Sequence, residues 1–294
     1  MSLLAARESN NTRSRLEERR LRAIGMRYML QLPKDNAIER VLVAVHGVSR
    51  EWRELPERFA KLCAAANIAL VVPRFSQSGY RGYQRLEVSR QGLTADVALL
   101  CVLDDVAQQL GKQRIEEVRL FGYSGGAQFA HRFSLLHPHL VKRQALAAAG
   151  FYTMPDANAT YPYGLASADR GRALEAKGLT IPTKIFVGEL DVERDAQLRT
   201  GRALDRRQGH HRVERAQRFV VAVRTLMASR GLVPDCSLEI LHGCGHSFVD
   251  CAERGDLAKK VVDFLVPEAV DLRTPPTPQA RPRPLGPWPR PEKS

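Results

Sequence analysis

The stretch Val118-Arg-Leu-Phe-Gly122-Tyr-Ser124-Gly-Gly126-Ala-Gln-Phe-Ala-His131 decides the reading of this chain. An apolar run passes into a segment of helical period through Gly-x-Ser-x-Gly, the pattern of a sharp strand-to-helix turn. Such a turn holds the serine hydroxyl clear of the backbone. Glycines two positions to either side permit it, because a β-carbon there would meet the neighbouring element. The helix start also aims unpaired N–H groups and the positive end of its dipole at any oxyanion formed beside Ser124. Alone, the pattern equally describes a Gly-rich turn with an N-capping serine, so the flanking chain must choose between them.

Working outward, Val41-Leu-Val-Ala-Val-His46-Gly47-Val48 reads as a buried strand ending in His-Gly, and Leu238-Glu-Ile-Leu-His-Gly-Cys-Gly245-His246-Ser-Phe as a late strand ending in a Gly-His loop. Further strands are expected at 26–32, 68–72, 117–121, 143–148 and 184–188, besides 40–45 and 237–241. Helical periods fill most gaps. From Leu93 to Leu110 an apolar stripe of Leu93, Val97, Leu100, Ala107 and Leu110 leaves Asp96, Asp104 and Asp105 for a solvated face. Strands alternating with helices give an α/β class with a mostly parallel sheet.

Val45-His46-Gly47, Gly122-Tyr-Ser124-Gly-Gly126, Gly188-Glu-Leu-Asp191 and Gly245-His246 together resemble an α/β-hydrolase over roughly residues 26–265. Within that superfamily, Gly122 to Arg132 and Gly150-Phe-Tyr-Thr-Met-Pro are similar to bacterial carboxylesterases and polyhydroxyalkanoate-depolymerase-like hydrolases. The order Ser124, Asp191, His246 matches the Ser, acid, His order of the superfamily. The resemblance implies a serine esterase with an acyl-enzyme intermediate. Ser124 would be the nucleophile, His246 the general base and Asp191 the acid that orients it, with Asp195 the competing acid. It also implies oxyanion donors at Gly125 and Val48. Because Val48 and Ser49 follow Gly47 where lipases carry further glycines, Ser49 is the alternative second donor. Amide or peptide hydrolysis, and a non-catalytic basic binding module on the same fold, are the competing functions.

Eight histidines are present and this chemistry needs one. His131, His137 and His139, on or just after the helix behind the turn, suit packing or a surface role rather than catalysis, and His46 suits loop hydrogen bonding. His242, Cys244, His246 and Cys251 fit no common zinc spacing, so no metal and no cofactor are expected. Cys244 lies in a Gly-rich loop rather than at a helix start, a poor place for a nucleophilic thiolate. Residues 151–180 stand where the superfamily inserts a cap. Phe151 and Tyr152 there, with Tyr123 inside the turn, are the candidate substrate-binding aromatics, although the 151–163 cluster could equally pack its own loop.

The 294 residues, 44% hydrophobic and 26% charged, suit one globular domain at residues 25–266. Residues 1–24 read as a basic extension, and residues 267–294, with nine of the 17 prolines, as a Pro/Arg-rich disordered tail. No apolar run reaches membrane-spanning length, no export signal is legible, and five scattered cysteines suit a reducing compartment, so a cytoplasmic protein is expected. The net charge is +13, densest between Arg199 and Arg218, where seven arginines meet only Asp205 and Glu214. A solvated helix face is the plain reading. Nucleic-acid signatures are missing, so the alternative is an anionic group on a small-molecule or polymeric ester substrate.

Overall fold

The computed structural model describes residues 15–33, 40–166 and 176–267. One eight-stranded sheet runs in the order β1-β2-β4-β3-β5-β6-β7-β8. Its strands are β1 (Leu16–Leu21), β2 (Met26–Gln31), β3 (Val41–Val45), β4 (Ala69–Arg74), β5 (Val118–Tyr123), β6 (Val141–Ala147), β7 (Thr183–Gly188) and β8 (Cys236–Leu241). β1 and β2 join antiparallel at one side, and the pairings from β4 to β8 are parallel.

Helices on both faces make the central strands apolar on both faces. All five residues of β3 are buried: Val41, Val43 and Val45 point into one core, Leu42 and Ala44 into the other. The first core is closed by α2 (Ala95–Gln109), α3 (Gly125–Leu136) and α5 (Arg212–Ser229), through Leu99, Val102, Phe129, Phe133, Phe219 and Val223. The second is closed by α1 (Glu54–Ala65) and α7 (Leu257–Leu265), through Phe59, Cys63, Val261 and Leu265. Two short helices, α4 (Arg202–Gln208) and α6 (Phe248–Glu253), flank the ends of β7 and β8. No helix among the described residues is long and apolar enough to cross a membrane.

All seven expected strands are present within one or two residues, and the differences have local causes. Residues 16–21, assigned in sequence to a basic extension, form β1, paired with β2 from Leu16 opposite Gln31 to Leu21 opposite Met26. LEERRL is a charged edge strand whose Glu17, Glu18 and Arg20 are exposed and whose Leu16, Arg19 and Leu21 are only partly buried, so it carries no apolar alternation; Arg19 Nε ties it to Asp105 Oδ2 at 3.2 Å. The arginine-rich stretch read as one helix face is two helices, α4 and α5, separated at Gly209 with its φ of 108°. Asp96 is fully buried rather than solvated, 2.9 Å from His137 Nε2. Residues 1–14, the 167–175 part of the cap-like insertion and the tail beyond Pro267 lie outside the described residues.

Candidate active site

The turn from β5 into α3 puts Ser124 at φ 52°, ψ −111°, a conformation L-residues rarely adopt. Packing enforces it. A β-carbon on Gly122 would strike the carbonyl of Gly126, and one on Gly126 would strike the carbonyl of Val45. Backbone bonds from Ser124 N to Ala147 O (2.8 Å) and from Gln128 N to Ser124 O (3.3 Å) anchor both sides of the turn.

His246 lies after β8, in the loop before α6, and Asp191 follows β7 in a turn closed by Asp191 N on Gly188 O at 3.1 Å. Their side chains converge on Ser124. His246 Nε2 is 3.1 Å from Ser124 Oγ, and His246 Nδ1 is 2.7 Å from Asp191 Oδ2. The carboxylate fixes the proton on Nδ1, which leaves Nε2 free to accept one from the hydroxyl. Asp191 is 2% exposed and Ser124 7%. Asp195 does not reach the imidazole in this way. Arg212 chelates it, with Nη1 2.6 Å from Oδ2 and Nη2 3.1 Å from Oδ1, and these bonds hold its carboxyl down to about 2.

The His46–Arg50 loop crosses in front of this turn. Its Val48 side chain and backbone nitrogen lie against the α-carbon of Gly125, where a β-carbon would come within 2.6 Å of Val48 Cγ1 and 3.3 Å of its nitrogen. His46 holds the loop: its Nε2 accepts from Phe75 N (3.0 Å) and its Nδ1 donates to Gly47 O (2.8 Å). Burial pushes its pKa down to about 4, which keeps the ring neutral as that bonding requires. Arg50 donates to Val48 O, Phe75 O and Arg81 O, and Tyr83 OH donates to His46 O. Arg50 and Tyr83 are supports that no motif in the sequence pointed to.

A cleft of about 380 Å³ opens over Ser124, walled by Val48, Ser49, Leu55, Tyr123, His246 and Phe248 among others. Its charged lining residues are Glu51 and Glu54. The Arg199–Arg218 block contributes none of its arginines to this wall. Arg212 and Arg215 are buried in pairs with Asp191, Asp195 and Asp205, and Arg218 pairs with Glu214. The solvated-face and anionic-ligand readings of the block both fail for Arg212 and Arg215, which point into the fold.

Of the three candidate substrate-binding aromatics, only Tyr123 reaches the cleft. Phe151 (3% exposed) packs on Tyr163 and beneath the Arg132 guanidinium, and Tyr152 (1% exposed) stacks on Phe219 at 4.3 Å. Gln208 clamps the Tyr152 backbone through both N–H (2.9 Å) and C=O (2.8 Å), so these rings serve the core. Cys251 sits beside Tyr123 OH at 3.7 Å, and burial pushes its thiol up to about 12, far from a reactive thiolate.

A mostly parallel eight-stranded sheet flanked by helices, with a serine at the strand-to-helix turn after β5, is the α/β-hydrolase fold. Solved structures share it. Poly(aspartic acid) hydrolase-1 from Sphingomonas sp. KT-1 is 22% identical with a TM-score of 0.70, over 85% of this chain and 98% of that one. The poly(3-hydroxybutyrate) depolymerase from Bordetella parapertussis is 24% identical with a TM-score of 0.68, over 87% and 92%. An esterase from Pyrobaculum calidifontis is 15% identical with a TM-score of 0.53, over 90% and 92%. No family model and no curated protein matches the chain.

Proposed function

We propose that the protein is a serine hydrolase that cleaves carboxylic esters through Ser124, His246 and Asp191. The observation that carries this reading is the unbroken hydrogen-bond chain from Ser124 Oγ to His246 Nε2 and from His246 Nδ1 to Asp191 Oδ2, facing an open cleft. The hydroxyl oxygen attacks the ester carbonyl while His246 takes its proton, and Asp191 stabilises the imidazolium that forms. The carbonyl oxygen gathers negative charge against the N–H groups of Gly125 and Val48, each donor being worth about 3 kcal/mol of barrier. Collapse breaks the bond to the leaving oxygen, which takes the proton from His246. Water then attacks the acyl-serine, with His246 again the base, and releases the acid.

The lining charge points to the substrate class. With Glu51 and Glu54 the charged groups of the cleft wall, a neutral or cationic ester fits better than an anionic one. A fluorophosphonate probe tests the reading: it should label Ser124, as located by peptide mass spectrometry, and short p-nitrophenyl esters should be hydrolysed. Both should vanish in Ser124→Ala. Labelling of another residue, or hydrolysis that survives the substitution, would refute the assignment.

A further inference from the structure

Asp191 divides its two oxygens between two partners. Oδ2 takes the hydrogen of His246 Nδ1, and Oδ1 takes one from Arg212 Nη1 at 3.1 Å. Arg212 opens α5, is 1% exposed in its side chain, and carries Asp195 on its other edge. A guanidinium on the acid fixes the plane of that carboxylate. It also cancels the negative charge an imidazolium needs. Asp195 restores the balance, since two carboxylates and one guanidinium present one net negative charge, the same as an unpaired aspartate.

We infer that Arg212 and Asp195 are positioning residues for the proposed reaction: the guanidinium aims Asp191 at His246, and Asp195 neutralises the guanidinium so that the pair still favours the imidazolium. This rests on the hydrolase reading for its functional meaning and on the contacts above for its geometry. Other titratable or charged groups around His246 are Glu51 and Glu54 across the cleft, the Tyr123 ring at 5.8 Å, and Asp250, whose Oδ2 is 3.4 Å from Gly245 N. The Cys251 thiol also bonds to Gly245 O, at 3.5 Å. Unlike these groups, Arg212 hydrogen-bonds directly to the Asp191 carboxylate, and Asp195 to Arg212.

The charge arithmetic gives single variants of opposite sign. Asp195→Asn removes a negative charge, so the midpoint of the His246 imidazole titration, read by NMR, should move to lower pH by about half a unit or more. Arg212→Gln removes the positive charge and should move it to higher pH by a similar amount. The double variant should return it towards that of the unsubstituted protein. Arg212→Lys keeps the charge but loses the planar fork, so the midpoint should hold while turnover of p-nitrophenyl butyrate falls several-fold. Shifts of the same sign in the two single variants, or none in either, would overturn the proposal. Should Arg212→Gln fail to fold, Asp195→Asn and Arg212→Lys decide: a shift to lower pH confined to the first supports it, and any other outcome refutes it. The NMR readout needs no turnover, so missing fluorophosphonate labelling with the opposite shifts intact would sink the hydrolase reading and leave this charge balance standing.

Discussion

The two sides of the cleft are built from different forces. On the serine side, Gly122 and Gly126 let backbone meet backbone, and the facing loop is held by a neutral imidazole, a tyrosine hydroxyl and the Arg50 guanidinium, all bonded to backbone, Arg50 having no carboxylate partner among the described residues. On the acid side, Asp191 is held by a buried guanidinium shared with a second carboxylate. Steric fit has no range and no titration; ion pairs have both. One side should therefore fail by losing its shape, and the other by losing its charge.

The largest effect should come from breaking the steric side. Gly126→Ala drives a β-carbon into the carbonyl of Val45, which the sheet fixes in place. We expect a loss of about 3 kcal/mol or more, visible as a melting temperature lower by about 10 °C. Gly245→Ala is the matching control beside His246, since a β-carbon there meets nothing within 4 Å. Equal melting temperatures for the two variants would dissolve the distinction.

Protonating the neutral imidazole on the serine side should come next. His46 accepts a backbone hydrogen at Nε2, which a protonated ring cannot do, and its pKa lies near 4 against an ordinary 6.5. Between those values the unfolded chain binds the extra proton and the fold does not, so stability must fall as pH drops from about 6.5 towards 4. The loss should reach about 3 kcal/mol at the low end. Buried His131, pushed down to about 3, adds a loss of the same sign. Urea unfolding across this range should show a shallower decline in His46→Gln, whose amide can still accept from Phe75. An unchanged decline would mean that His46 is not the group responsible.

Legibility in the sequence follows the same division. The turn at Ser124 and the strand ends carrying His46 and His246 could be read because each depends on neighbours within a few residues, while the Ser, acid, His order came with the resemblance to α/β-hydrolases. Which of Asp191 and Asp195 lies against the imidazole could not be read this way, since Arg212, which bonds to both, is 17 or more residues away along the chain and inside a run that looks like a charged surface. A signal was nevertheless present. Arg212 and Arg215 share the helical phase of Ala216, Phe219, Val223 and Met227, the buried stripe of α5, so two arginines on an apolar face called for buried acids. For Phe151 and Tyr152 the pocket-wall and packed-loop readings stayed open, because aromatic clustering looks the same in a pocket wall as in a core.

The smallest effect concerns the cleft mouth, where charge meets the substrate. Burial, together with Glu51 and Glu57, raises the pKa of Glu54, a sign of carboxylates crowded without a full complement of cations. Among esters of matched leaving group, one bearing a quaternary ammonium should therefore be hydrolysed with a kcat/KM about tenfold above one bearing a carboxylate, a difference of about 1.4 kcal/mol. Because Glu51 is exposed, the preference should shrink as ionic strength rises past the point where screening lengths fall below about 8 Å. Glu51→Gln with Glu54→Gln should erase it while leaving the rate on a neutral ester within about twofold. A preference for the anionic ester would instead return the search for substrate contacts to the arginines of the α4–α5 region.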